Sequence, residues 1–172
     1  MVVGEGLLAL REPYMATSRE MERLRAEHAA LTALARVILA MVQDPAPLRP
    51  ADLASARAAL RETLVRHLKC EDWVLYPRLR ASGEPELVRL TREFELEMGD
   101  LAADFTAYDD KWTAARVAAD WAGFRRETQI VFDLLKLRVE REERELYPLA
   151  DRLYSAAAPV AMPIRGGSTI SS

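Results

Sequence analysis

Only one cysteine, Cys70, occurs in the 172 residues, so an internal disulfide is excluded and the chain suits a reducing compartment. Glycine is scarce, at 7 residues, whereas the strong helix formers Ala, Leu, Arg and Glu dominate. No segment alternates polar and apolar residues as a half-buried strand would. No stretch of about 18 uncharged apolar residues is present, so no membrane span is expected. The opening Met1-Val-Val-Gly-Glu-Gly has no basic stretch and no long apolar run, so no signal peptide is expected. Neither sign of charge prevails, with 24 Lys and Arg against 27 Asp and Glu, which removes the electrostatic reason to expect nucleic acid. The expectation is a soluble, cytoplasmic protein without a nucleic-acid or membrane partner.

What is present is helical periodicity. Half of the residues are apolar and 30% are charged, enough for one domain to close a sizeable core unaided. Residues 1–17 are weakly patterned and contain Pro13; they read as a lead-in segment. Ser18 is a plausible N-cap for a first helix whose apolar stripe runs Met21, Leu24, His28, Leu31, Ala35, Ile38 and Val42. Pro45, Pro47 and Pro50 end it, and Pro50 and Asp52 suit the first turn of the next helix. That helix carries Leu53, Ala56, Leu60, Leu64, His67, Glu71 and Leu75 and stops near Ser82-Gly83. A third runs from about Pro85 to Tyr108 on Leu87, Leu90, Phe94, Met98, Leu101 and Phe105. Residues 109–116 read as a loop. The fourth helix carries Phe124, Val131, Leu135, Arg138, Glu142 and Leu149 to about Tyr154. Residues 155–172, rich in Ala, Pro, Gly and Ser, read as a flexible tail. The expected fold is all-α, an up-down-up-down four-helix bundle over residues 18–154.

Helices two and four resemble each other at an offset of 71 residues. The segment from His67 to Pro77 overlays that from Arg138 to Pro148 with Glu71 on Glu142, Leu75 on Leu146, Tyr76 on Tyr147 and Pro77 on Pro148. Each proline falls late in a long helix, where loss of a backbone hydrogen bond should bend the axis.

The chain has two histidines, and both lie on core-facing stripes. Glu71 follows His67 by one helical turn, so their side chains share a direction, and Glu142 takes the equivalent place on helix four. A carboxylate aimed at a core costs several kcal/mol unless it is paired or bound to a metal. Two imidazoles and two carboxylates converging between helices could hold a borderline cation such as Fe or Mn. If the helix phase is off by one position, Asp72 and Glu143 exchange roles with Glu71 and Glu142.

This arrangement resembles the hemerythrin-like (HHE cation-binding) domain family, which places a His on helix one, His-x-x-x-Glu on helices two and four, and a His on helix three. Leu-Tyr-Pro after each Glu, at 75–77 and 146–148, is also typical of it. The resemblance implies a non-haem di-iron centre, with His28, His67, Glu71 and Glu142 carried over. Two positions depart from it. Arg138 stands at the fourth-helix histidine place and cannot ligate a metal because it stays protonated. Helix three has no histidine; one alignment places Glu95 at its ligand position, another Phe94. With Glu95 the candidate set is His28, His67, Glu71, Glu95 and Glu142, rich in carboxylate.

The function implied is a non-haem metal-binding protein that senses or handles O2, NO, peroxide or iron rather than catalysing turnover. Its cofactor would be iron, as a di-iron centre or otherwise, or another divalent ion such as Mn or Zn. The alternative is a metal-free bundle acting as a regulatory or protein-interaction module, with Arg138 supplying the metal's charge through pairing with Glu71 or Glu142. The partners are then a small diatomic ligand or metal ion, a regulatory protein, or a second copy of the chain. Cys70 reads as a small packed side chain or as a redox-sensitive thiol beside the cluster. Tyr76 and Tyr147 read as core-to-surface anchors.

Overall fold

The computed structural model describes residues 11–44 and 49–156, with side chains described over 19–44, 49–97 and 101–155. The expected tail and the prolines at 45 and 47 lie outside these residues. Every element among the described residues is helical. We number them α1 (Arg11–Gln43), α2 (residues 50–81), α3 (Pro85–Lys111), α4 (Ala114–Ala119) and α5 (residues 121–156).

Three boundaries differ from the sequence reading. Helix α1 is described from Arg11, so Ser18 lies inside it and not at its cap. The supposed loop at 109–116 is mostly helical: α3 runs on to Lys111 and α4 follows after two residues. Asp109 is held there by Arg57 and Arg61, at 3.0 and 2.7 Å, and Arg57 also donates to the Trp112 carbonyl at 2.6 Å. The Thr113 side chain caps α4, and Asp120 caps α5 by accepting from the Gly123 N–H at 2.8 Å. The stop of α2 is as expected, with Gly83 taking the left-handed φ of 72° that other residues avoid.

The prolines do more than bend their helices. Residues Glu71–Leu75 and Glu142–Leu146 are each a single turn of π-helix, closed by the N–H of Tyr76 on the Glu71 carbonyl and of Tyr147 on the Glu142 carbonyl. Pro77 and Pro148 sit just beyond. A proline ring collides with the carbonyl four residues back and offers no N–H, and widening the preceding turn by one residue relieves both problems.

Helix α1 lies along α2 and α5, and α3 packs on the last turns of α2 and along α5. The stripes read from the sequence are the buried faces: Leu24, Leu31 and Ile38 on α1, Leu60 and Leu64 on α2, Phe94 on α3 and Phe124 on α5. By length and composition alone, Arg19–Gln43 could cross a membrane. Within the fold its buried residues Met21, Leu24, Leu31, Ile38 and Val42 pack against the neighbouring helices.

The core is in two parts. One gathers Leu31, Ile38, Leu60, Leu64, Phe105, Phe124 and Leu135; the other gathers Met21, Leu24, Leu75, Leu79, Phe94, Leu146 and Tyr147. On each long helix the break between them falls at the same level. His28 lies between Leu24 and Leu31, His67 and Glu71 between Leu64 and Leu75, and Arg138 and Glu142 between Leu135 and Leu146. A polar layer therefore divides the apolar interior.

Candidate metal centre

Four side chains meet in that layer. His28 from α1, His67 and Glu71 from α2, and Glu142 from α5 each direct one ligand atom to a common point, all within 4.8 Å of one another. None is more than 3% exposed. The helix phase is thereby fixed, since Asp72 is exposed and Glu71 is fully buried. His28 Nε2 lies 3.1 Å from His67 Nε2 and 3.0 Å from Glu142 Oε2, and His67 Nε2 lies 3.6 Å from Glu71 Oε2.

The outer faces of both rings explain their orientation. His28 Nδ1 is 2.7 Å from Glu143 Oε1, and His67 Nδ1 faces Glu27 Oε2 at 3.5 Å. Arg23 and Arg66 both donate to the other Glu27 oxygen, at 3.1 and 2.9 Å, and fix it. Glu143 on His28 Nδ1 favours a proton there and leaves Nε2 with a bare lone pair, whereas His67 Nδ1 and Glu27 Oε2, both buried, make no hydrogen bond. Two imidazole nitrogens and two carboxylate oxygens then face one another, a set that a cation would join. Ligand atoms around one first-row ion at about 2.1 Å in tetrahedral geometry stand roughly 3.4 Å apart. Three of the six separations, 3.0, 3.1 and 3.6 Å, bracket that spacing and all lie within 4.8 Å, so the four residues could hold a metal.

Without a cation, the charges settle on protons. Against its burial, hydrogen bonds to Glu142 and Glu143 hold His28 above the usual imidazole range. Burial and the adjacent His28 charge push His67 down to about 4. Burial and the repulsion of Glu142 drive Glu71 well above the ordinary carboxylate range, and Glu142 itself, though buried, is held low by His28 and Arg138.

Two tyrosines complete the layer, and both are buried rather than reaching the surface as anchors. Tyr76 Oη donates to Glu71 Oε2 at 3.1 Å and accepts from Arg138 Nη2 at 2.9 Å. Tyr147 Oη donates to Glu71 Oε1 at 3.0 Å and stacks on the His28 ring, 5.1 Å between centroids. Arg138 is inside the layer, 6% exposed, with Nε donating to Glu142 Oε1 and its guanidinium 4.3 Å above the Phe94 ring.

Glu95 is not brought to the cluster. Phe94 holds the core-facing position on α3, and the next residue turns about 100° around the axis. Glu95 accordingly pairs with Arg80 at the edge of α2. Sequence reasoning missed Glu27 as an outer carboxylate and named Glu143 only as a stand-in for Glu142. Their only signal was adjacency, Glu27 preceding His28 and Glu143 following Glu142. Cys70 is buried in the second apolar cluster, beside Met21 and Leu24.

No curated protein and no solved structure matches the chain. The family model for the hemerythrin HHE cation binding domain matches residues 19–150, the stretch that carries all four converging residues and both π-turns. The chain belongs to the hemerythrin HHE cation-binding domain family.

Proposed function

We propose that this protein is a metal-binding module that senses or handles O2, NO, peroxide or iron. Its ligands are His28, His67, Glu71 and Glu142, set in an up-down-up-down four-helix bundle of residues 18–154. One observation carries the reading: two buried imidazoles, that of His28 held by Glu143 on Nδ1, turn their Nε2 atoms to within 3.1 Å of each other beside two buried carboxylates. A mixed set of two nitrogens and two carboxylate oxygens suits iron and also accepts Mn or Zn. The bound ion would supply a Lewis-acid centre for a small ligand. The protein's part is to orient the four donors and keep the layer dry between two apolar clusters. No catalytic role is assigned. The single buried thiol suits the reducing cytoplasm, where we place the module.

A second reading has its own observation. Arg138 already pairs with Glu142 inside the layer, as a metal-free regulatory bundle would require. Ile130, Leu134 and Leu137, exposed on α5, would then offer an apolar face to a regulatory partner or a second copy.

Elemental analysis of protein purified without chelators separates the two. Stoichiometric Fe, Mn or Zn that is lost in His67→Ala supports the metal module. Visible absorption that changes on exposure to O2 or NO would assign sensing. Absence of all three metals, with no uptake on adding Fe(II) anaerobically, refutes the first reading in favour of the second.

A further inference from the structure

The polar layer is built from two half-sites on a shared frame. On α2, His67 precedes Glu71 by one turn, and a π-turn and Tyr76-Pro77 follow; on α5, Arg138 precedes Glu142 by one turn, and a π-turn and Tyr147-Pro148 follow. Each half also borrows a ring from a neighbouring helix. His67 meets the His28 ring of α1, 4.5 Å between centroids, and Arg138 meets the Phe94 ring of α3 at 4.3 Å.

The halves match in geometry and differ in chemistry. The first half offers two imidazole nitrogens. The second offers a phenyl ring without a donor atom and a guanidinium that has five N–H groups and no lone pair, with the half-exposed Glu97 already paired to its Nη1 at 3.4 Å. Glu142 divides its carboxylate between them, with Oε2 3.0 Å from His28 Nε2 and Oε1 accepting from Arg138 Nε. Tyr76 ties the same guanidinium to Glu71, the carboxylate of the opposite half. Arg138 is therefore bound to both carboxylate systems and stacked on Phe94, while its Nη1 reaches outward to Glu97.

We infer that this centre takes a single divalent cation, at His28, His67, Glu71 and Glu142, and that the Arg138 guanidinium permanently occupies the place of a second. The inference rests on the metal-binding reading above and adds its stoichiometry. Arg138 supplies one positive charge beside the two buried carboxylates without needing ligands, and its charge and bulk exclude another ion. Phe94 covers the guanidinium where a donor would be needed. The site is thus a one-ion centre with a built-in counter-cation.

The test is the number of ions bound, measured by titrating apoprotein with Co(II), followed by its visible absorption, and by elemental analysis after gel filtration. The unaltered protein is expected to saturate at one equivalent. Arg138→His, and more firmly Phe94→His with Arg138→His, should saturate at two, whereas Arg138→Lys should stay at one. Saturation of the unaltered protein at two overturns this inference and leaves the metal-binding reading standing. Folded histidine variants, checked by far-ultraviolet circular dichroism, that remain at one equivalent also overturn it. No binding by the unaltered protein refutes the underlying reading itself. The first measurement needs no variant, so a histidine variant that fails to fold does not shield the inference.

Discussion

Glu143 is the most direct handle on how the imidazoles are aimed. Its carboxylate lies 2.7 Å from His28 Nδ1 and is 36% exposed, on the outer side of a ring whose other nitrogen faces the ligand cluster. Replacing it by alanine removes the acceptor that fixes the tautomer and the ring plane. Losing such an outer partner typically weakens metal affinity 10–100-fold, about 1.4–2.7 kcal/mol. Water can reach Nδ1 in part once the carboxylate is gone, which places Glu143→Ala toward the low end, at about tenfold. Glu143→Gln separates orientation from charge, because the amide oxygen still accepts from Nδ1–H while the negative charge is lost. It should therefore keep most of the affinity. Arg25→Ala is the control, since Arg25 approaches Glu143 at 3.5 Å and pairs with Asp151. It should change the dissociation constant less than twofold. Competition titration of Zn(II) against a chromophoric chelator gives all three values. Equal losses in the Ala and Gln variants would refute the orientation argument, leaving only long-range charge. An affinity unchanged in Glu143→Ala would refute the outer carboxylate's role altogether.

Two further outcomes concern stability. Tyr76→Phe leaves Arg138 Nη2 and Glu71 Oε2 without the hydroxyl that joins them, which costs roughly 1–3 kcal/mol in a buried site, or about 3–9 °C in Tm for a chain of this size. A Tm within about 1 °C of the unaltered protein, followed by calorimetry of the apoprotein, would show that the hydroxyl is not an essential partner. Asp120→Ala removes the cap of α5 and should cost about 1 kcal/mol. Gly123→Ala should destabilise the unaltered protein, because a Cβ there would meet the Asp120 carboxylate, yet stabilise the Asp120→Ala variant by restoring helix propensity. Effects of the same sign in both backgrounds would contradict that coupling.

The four long helices were legible because their buried faces follow the 3.6-residue period without interruption from Met21 to Val42 and from Leu53 to His67. The convergence of four of the five candidate residues was legible for the same reason, since a titratable group on an apolar stripe has nowhere to point but inward. Glu95 was misread because α3 carries no polar residue on its stripe. The stripe itself pointed to Phe94, and the structure follows the stripe. The short helix α4 was hidden because Asp109-Asp110-Lys111 offers no apolar face; its start depends on a capping Thr113, and the run before it on a long-range grip by Arg57 and Arg61. The outer roles of Glu27 and Glu143 were not legible, for a different reason. Each lies next to a residue of the cluster in sequence, on a helix face that reads as solvated until the neighbouring helix is in place.

The π-turns link the prolines to the centre. In a regular α-helix a residue five places along lies about 140° around the axis, so Tyr76 would point away from Glu71. A π-turn has about 4.4 residues per turn, which brings the fifth residue back to within roughly 50°. Tyr76 thereby reaches Glu71 at 3.1 Å, and Tyr147, displaced in the same way beyond Glu142, reaches Glu71 and His28 from the other side. The Tyr-Pro pairs thus act as a unit. The proline forces the wide turn, and the wide turn brings the tyrosine onto the carboxylate layer, where its hydroxyl supplies a hydrogen bond that a buried carboxylate needs. Both pairs lie 71 residues apart with the same local geometry, yet only the first follows a histidine. The frame is therefore shared by both halves while the histidine is present in one and an arginine in the other, which is the arrangement expected if the second half serves to hold a guanidinium in place of an ion.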